Sequence, residues 1–194
     1  MPRPRTISDE AILDAVLALA HRVGPAHVTF AAAAVETGLS AATLVQRFGN
    51  KRELLLAADK RAVDLWVGAL DRSTAASPLT RVVEGLVLAV DRVATPEQMA
   101  NSLAMLQLDL ADRDFHAETL RGARAVRARI SRDLSAALAA GELRSDTDVA
   151  PLATLVETTY HGAMIGWAIH RESTLADWMR EQVETVLAPH RTAS

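Results

Sequence analysis

Residues 29–54 read TFAAAAVETGLSAATLVQRFGNKREL and decide the fold of the first part of the chain. Two short helical segments, Phe30 to Thr37 and Ala41 to Arg47, are separated by only three residues. Gly38 can take the left-handed backbone conformation that ends a helix. Ser40 is a favourable N-cap for the helix that follows. The stretch therefore predicts two short helices joined by a tight turn.

A turn of this kind crosses two helices at a steep angle and projects the second one outward. In a helix-turn-helix the second helix enters the major groove of DNA. A first helix, starting after the cap Ser8, is expected to pack behind the pair. A weak charge bias agrees with a nucleic-acid contact, since residues 1–61 carry a net charge of +2 and the remainder −5.

The rest of the chain also has helical spacing of its apolar residues, with no strand pair and no internal repeat. Caps, proline and glycine signals predict an all-α fold of about nine helices. Asn50 starts the fourth, Pro78 the fifth and Thr95-Pro96 the sixth, which ends near Ala111. The last three are expected from Asp112 or Asp114 to Gly141, from the cap Asp146 to about His170, and from Ser173 or Thr174 to Pro189.

The composition excludes several classes of protein. The chain has 194 residues, of which 49% are hydrophobic and 23% charged, and it contains no cysteine. A disulfide framework, a thiolate zinc site and a cysteine nucleophile are thereby excluded. No apolar run approaches the roughly 20 residues that a membrane helix needs. Acidic residues interrupt the N-terminus before a signal core could form, so we expect a cytoplasmic protein without membrane contact.

The sequence carries little that indicates an enzyme. Six histidines are scattered, and no pair has a metal-ligand spacing. The glycine-rich stretch 162–166 lacks a nucleophile. The neighbours Tyr160 and His161 allow a catalytic pair, but a histidine in a core or pocket is the commoner arrangement. We therefore expect no catalytic residues, no metal and no cofactor.

The segment 38–54 resembles the TetR (tetracycline-repressor-like) family of bacterial transcription regulators. The resemblance is good over about residues 8–66, whereas the remainder is similar only in helix count and between Gly141 and Trp167. The family pattern has a threonine, then about a dozen residues further on Gly-Val-Ser-x-Gly-Thr-Leu-Tyr-x-His-Phe-x-x-Lys-x-x-Leu. The matching residues are Thr29, Gly38, Ser40, Thr43, Leu44, Phe48, Lys51 and Leu54.

Three residues depart from the family pattern: Ala42 replaces a glycine, Val45 a tyrosine and Arg47 a histidine. In the family the tyrosine and histidine tend to contact phosphates. Val45 thus removes a hydroxyl donor, whereas Arg47 supplies a charged one. Val45 can instead make an apolar contact with a thymine methyl group.

The resemblance implies a DNA-binding domain over residues 1–54. Thr29 and Lys51 are expected to contact phosphates, Lys51 at a helix N-terminus. Gln46 can pair with an adenine edge, and Arg47 can reach guanine or phosphate. For Ser40, capping of the second short helix is favoured over a contact with DNA. The predicted DNA-binding set is Arg3 and Arg5, as an arm in the minor groove, with Thr29, Ser40, Ala41, Ala42, Thr43, Val45, Gln46, Arg47 and Lys51.

Residues 55–194 are expected to form an effector-binding and dimerisation domain. By resemblance, the last two helices pair with their copies in a four-helix bundle, which would place two recognition helices on one two-fold axis. The alternative is that these apolar stripes pack against their own chain. The predicted dimer residues are Leu152, Leu155, Val156, Thr159, Ala163, Trp167, Trp178, Val183, Val186 and Leu187.

The family also encloses a small-molecule pocket among its central helices. Methionines adapt to varied ligands, and Tyr160 and His161 offer polar groups. The same residue types at helical spacing are otherwise ordinary core. The predicted lining, which favours a hydrophobic or aromatic effector, is Trp66, Leu86, Met99, Leu103, Met105, Leu106, Phe115, Tyr160, His161 and Met164.

The resemblance implies a DNA-binding transcriptional regulator, by family default a repressor, that an effector releases from its operator. The fourth helix would transmit the signal, because Lys51 lies at its start and Trp66 near the pocket. An alternative remains open. Ala42 and Val45 are also compatible with a helical ligand-binding or interaction protein whose DNA binding is weakened or lost.

Overall fold

The computed structural model describes residues 7–192, and it is all-α as predicted. Within that range there are nine α-helices and three short 3-10 turns, with no strand and one isolated bridge between Leu143 and Arg191. The predicted arm residues Arg3 and Arg5 lie outside the described residues. The helices are α1 Asp9–Val23, α2 Phe30–Thr37, α3 Ala41–Phe48, α4 Lys51–Ala69, α5 Pro78–Ala89, α6 Pro96–Ala111, α7 Arg113–Ala139, α8 Val149–His170 and α9 Leu175–Leu187.

Local capping explains most of the helix starts. The side-chain oxygens of Ser8, Thr29 and Ser40 each accept a backbone N–H three residues on, at 3.1–3.2 Å. Asn50 does the same for Glu53 at the start of α4, at 3.0 Å. At the start of α6 the Gln98 side chain accepts from the Ala94 N–H at 2.7 Å. These bonds satisfy backbone donors that have no partner inside the helix.

The predicted cap of α8 is wrong. The cap is Asp148, whose Oδ1 accepts from the Ala150 N–H at 3.2 Å. Asp146 instead forms two hydrogen bonds with Arg144, at 3.0 and 2.7 Å, which lower the pKa of its carboxyl group. A turn closed by Thr147 N–H donating to Arg144 C=O holds Asp146 outside the helix. Two aspartates two residues apart offer the same local signal, so the turn decides between them.

The chain divides into two compact units. The first consists of Met1–Asp64 and Ala100–Thr119. Its core includes Ile12, Leu44 and Leu54, all without exposed surface. Arg61 of α4 makes a two-pronged bond to Asp14 of α1 at 2.9 and 3.1 Å, and these bonds raise the pKa of the guanidinium. This pair joins α4 to α1, while α2 packs on both α1 and α3.

The second unit consists of Leu65–Met99 and Leu120–Ser194, and in it α9 packs on α5 and α8. Ile130, Leu134 and Met179 are among its fully buried side chains. The Glu142 carboxylate accepts from the Ser77 hydroxyl and the Leu79 N–H, which fixes the start of α5. The boundary predicted between residues 54 and 55 separates two functions, whereas these units are defined by packing. The functional boundary stays a prediction.

Candidate nucleic-acid interface

The turn between α2 and α3 has the backbone that the sequence predicts. Gly38 adopts φ +69° and ψ 12°, and its N–H donates to the Ala34 carbonyl at 2.9 Å. Ser40 returns to extended backbone and caps α3. Left-handed backbone costs residues with a Cβ atom more than it costs glycine. Gly38 therefore sets the direction in which α3 leaves the turn.

The α3 helix buries one face and exposes the other. Leu44 has no exposed surface and anchors the helix in the core of the first unit. Ala42, Val45 and Gln46 are exposed, with 44% of Val45 accessible. Positions three and four apart lie on the same side of a helix, so these three form one outward face. This is the face that a helix-turn-helix presents to the major groove.

The hydroxyl groups around α3 are engaged within the protein. Ser40 Oγ and Thr43 Oγ1 are 2.8 Å apart and share a hydrogen bond. Thr29 Oγ1 accepts from the Ala32 N–H at 3.1 Å. Because that hydroxyl acts as an acceptor, it still has a proton to donate to a phosphate oxygen. Ala41 and Thr43 are half-buried, so they contribute less surface than Ala42.

Two predicted cationic contacts are bonded internally. Arg47 Nη1 donates to the Ile7 carbonyl at 2.9 Å and to Asp9 at 3.1 Å, and 28% of its side chain is exposed. Lys51 Nζ donates to the Ala26 carbonyl at 2.6 Å. An ammonium group has three donors, so Lys51 can hold Ala26 and a phosphate together. Arg47, in contrast, joins the last turn of α3 to the start of α1.

A charge cluster missed by the sequence reasoning holds the first turn of α4. Arg52 donates to both oxygens of Asp112 at 2.9 and 2.6 Å and to Asp114 at 2.7 Å. Its guanidinium carbon lies 5.8 Å from the ring centroid of Phe115. The arginine lowers the pKa of the Asp112 carboxyl group. The only local signal was two acidic residues flanking the predicted start of α7.

A second contact from residues 100–119 reaches α1. Asn101 Nδ2 donates to the His21 carbonyl at 2.8 Å, near the C-terminus of α1. A Cβ atom at Gly24 would lie 3.0 Å from Asn101 Oδ1. The α6 helix thus satisfies an orphan carbonyl at the end of α1, while Asp112 holds the start of α4. Both contacts lie inside the first unit and support the frame that positions α3.

Three of the predicted effector residues lie together in the second unit. The rings of Trp66 and Tyr160 stack with centroids 6.1 Å apart, and His161 meets Trp66 edge-on at 6.0 Å and Tyr160 at 5.2 Å. Burial raises the pKa of the Tyr160 hydroxyl. Desolvation by its neighbours also lowers the pKa of His161, although part of this side chain stays exposed, and the charge of Glu157 opposes the shift. Both side chains are thus held in their neutral forms.

The other predicted effector residues are placed differently. Leu86 and Met99 are buried in the second unit, and Met164 is half-buried. The first unit holds the rest: Phe115 is buried beside Arg52, Leu106 is 36% exposed, and Leu103 and Met105 are half-buried. An open depression in the second unit contains none of them and is lined by Val67, Asp71, Ala125, Ala128, Arg129 and Arg132.

Most of the predicted dimer residues pack against their own chain. Six of them are at most 6% exposed: Leu152, Val156, Ala163, Trp167, Val183 and Leu187. Those with surface left are Leu155, at 49%, and the half-buried Thr159, Trp178 and Val186. The sequence reasoning missed Ile165 and Ile169, which are 42% and 72% exposed on α8. Both faces of α8 are apolar, so periodicity alone could not separate them.

Within residues 7–192 no group of histidine, aspartate or glutamate side chains could hold a metal ion. No helix in the same range is long and apolar enough to cross a membrane.

Two family models match the chain. Residues 12–58 match bacterial regulatory proteins of the tetR family, and residues 102–183 match the tetracyclin repressor-like C-terminal domain. The first match covers the helix-turn-helix. The second covers α7, α8 and most of α9. A search of curated proteins found no match.

Several solved structures share the fold over nearly the whole chain. A protein of Saccharomonospora viridis crystallised with choline is 21% identical, covering 94% of this chain and 96% of its own, with a TM-score of 0.76. SmeT of Stenotrophomonas maltophilia, the repressor of the SmeDEF multidrug efflux pump, is 21% identical over 97% and 93%, TM-score 0.71. FadR of Bacillus subtilis, in complex with stearoyl-CoA, is 14% identical over 91% and 96%, TM-score 0.71.

Proposed function

Because the chain belongs to the tetR family of bacterial regulatory proteins and is thus a DNA-binding transcriptional regulator, not an enzyme, we propose that it is a cytoplasmic repressor. It binds its operator as a homodimer, and a small hydrophobic or aromatic effector releases it. The observation that carries the proposal is the outward face of α3, which Gly38 and buried Leu44 hold in a fixed direction. Ala42, Val45 and Gln46 lie on that face, and Thr29 and Lys51 have donors for phosphates.

The DNA contact is tested by fluorescence anisotropy with the DNA upstream of the gene and an unrelated duplex, each at several salt concentrations. A specific regulator prefers the upstream DNA. In a plot of log affinity against log salt concentration, its slope is about −0.9 for each phosphate contact. Lys51→Met in both protomers should reduce that slope by about 2 without changing the preference. Gln46→Ala should instead reduce the preference. Equal affinity for both duplexes would favour the alternative of weakened or lost DNA binding.

The homodimer is supported by an exposed apolar stripe on α8. Leu155, Ile165 and Ile169 follow one side of the helix, and Gly162 between them has open space around it. A stripe of this kind on a two-fold axis can pack against its own copy. Ile169→Arg should convert dimers to monomers in light scattering, whereas Val35→Arg, on exposed α2, should not. A dimer that survives Ile169→Arg and Ile165→Arg would contradict this assignment.

The effector class is inferred from the Trp66, Tyr160 and His161 rings. Stacked and edge-on aromatic rings favour flat, apolar ligands, and two neutral polar groups can orient them. A ligand at 100 times its Kd stabilises the folded state by about 2.7 kcal/mol. Indole or naphthol should therefore raise the Tm where glucose and glutamate do not, and Trp66→Leu should abolish the rise. A shift with the polar compounds alone would count against an aromatic effector.

Release is proposed to proceed through α4, which carries Lys51 and Arg52 at its start and Trp66 near its end. An effector that displaces α4 would move Lys51 relative to the operator phosphates. Because affinity and effector binding are linked, a coupling of about 1–3 kcal/mol corresponds to a 5- to 150-fold loss of operator affinity. A crosslink that fixes the spacing of the two heads should abolish release. Effector sensitivity that persists in crosslinked dimers would argue against this route.

A further inference from the structure

The outward face of α3 carries two apolar side chains and one amide. Ala42 and Val45 are exposed, and 44% of Val45 is accessible. Gln46 lies four residues from Ala42, so all three side chains share one face. In the part of the chain that the structure describes, the side-chain amide of Gln46 makes no hydrogen bond, which leaves it available to read a base.

The neighbouring polar groups are committed elsewhere. The Ser40 and Thr43 hydroxyls bond to each other at 2.8 Å. Arg47 is held by the Ile7 carbonyl and Asp9, and Lys51 by the Ala26 carbonyl. Arg47 and Lys51 keep spare donors for phosphates, but moving any of these four side chains toward a base edge would break the bond that holds it in place. The direct readout therefore falls to Ala42, Val45 and Gln46.

The major groove offers one apolar group, the 5-methyl of thymine. Cytosine presents an amino donor there, and guanine and adenine present N7 acceptors. Placing Val45 over any of those would remove water from a polar group without replacing its hydrogen bond. A thymine methyl has no hydrogen bond to lose and gains contact with the valine methyls.

We propose that Val45 is a specificity-determining residue that reads the 5-methyl group of a thymine in each half-site, with Gln46 reading an adjacent adenine. The inference rests on the proposed function, since it requires α3 to lie in the major groove. It predicts that each operator half-site contains a thymine next to an adenine at the positions that Val45 and Gln46 contact. Burying one methyl is worth about 0.8 kcal/mol, or about fourfold in affinity.

The test replaces each operator thymine, one symmetric pair at a time, by deoxyuridine. This change removes the methyl and keeps every hydrogen-bonding group of the base. One pair of positions should lower the affinity of the wild-type dimer by about 16-fold, since each half-site loses about fourfold. Val45→Ala should bind the thymine and uracil operators nearly equally. Val35→Ala is the matched control, an 81% exposed valine on α2, and should keep the full difference.

The outcomes separate the two levels of the argument. Absence of any preferred operator would overturn the proposed function itself. A preferred operator with no sensitivity to uracil at any position would overturn the inference and leave the regulator intact. A uracil effect that persists in Val45→Ala would remove the assignment to Val45. Because Val45 is surface-exposed, circular dichroism should show an unchanged Tm for Val45→Ala, so a binding change reports recognition and not folding.

Discussion

Replacing Gly38 by alanine tests the turn on which the direction of α3 depends. Gly38 has φ +69°, and nothing lies within 4 Å of the position that a Cβ atom would take. The cost of Gly38→Ala is therefore conformational and not steric. A left-handed backbone costs an L-residue about 1–2 kcal/mol. The smaller conformational freedom of the unfolded alanine chain offsets about 0.4–1 kcal/mol of this.

The net expectation is a loss of about 1 kcal/mol of folding stability. For a chain of this length that corresponds to a decrease in Tm of about 2–4 °C. If the turn relaxes to avoid the strain, α3 changes direction, and operator affinity falls by more than the stability loss implies. Thermal unfolding followed by circular dichroism gives the first quantity, and fluorescence anisotropy with the operator gives the second.

Gly68→Ala is the matched control. Gly68 is also exposed with open space for a Cβ atom, but it lies within α4 and has no positive φ. Alanine is better than glycine in a helix by about 0.8–1.0 kcal/mol, so this variant should be stabilised by up to that amount. If Gly38→Ala melts at or above the wild-type temperature while Gly68→Ala behaves as expected, the reasoning about the turn is wrong.

Three further predictions follow from buried and paired groups. Burial raises the pKa of Asp109 to about 6 in the folded protein, whereas in the unfolded chain it is near 4. Folding stability is therefore lost as the pH rises through this range, because the folded state resists the ionisation of Asp109. The stability gain of Asp109→Asn in urea unfolding should thus grow by on the order of 1 kcal/mol between pH 5 and pH 7.5, and a pH-independent gain would contradict this. Val156→Ala should destabilise the fold by about 2 kcal/mol, because the side chain is fully buried, whereas Leu155→Ala should weaken dimerisation and leave the Tm of the monomer nearly unchanged. Arg52→Met should lower the Tm at low salt, and the difference should shrink in 1 M NaCl because the pairs with Asp112 are exposed; a salt-independent loss would assign Arg52 a packing role.

The helix starts and the helix-turn-helix could be predicted because their causes lie within a few residues. Ser8, Thr29 and Ser40 cap helices through N–H groups three positions away, and Gly38 supplies a backbone conformation of its own. These interactions do not depend on the rest of the chain. The error at Asp146 has the same origin. A second aspartate two residues later satisfies the local rule equally well, and only the folded turn distinguishes them.

The surfaces and the support of the site were decided by tertiary structure. Periodicity showed that α8 is apolar, but only its packing on α9 and the burial of each side chain show that Val156 faces inward and Ile169 outward. The sequence alone indicates a free cation at Arg47. In the structure it donates to the Ile7 carbonyl and the Asp9 carboxylate, which lie 40 and 38 residues earlier.

The contacts of Arg52, which hold the start of α4, also could not be predicted from the sequence. Its partners Asp112 and Asp114 lie 60 and 62 residues away, and no local pattern links them. Backbone conformation and capping are short-range, so the amino-acid sequence by itself determined the elements and the recognition helix. Burial and charge pairing depend on which distant segments meet in space, so the tertiary structure alone decided which side chains α3 leaves free to read DNA.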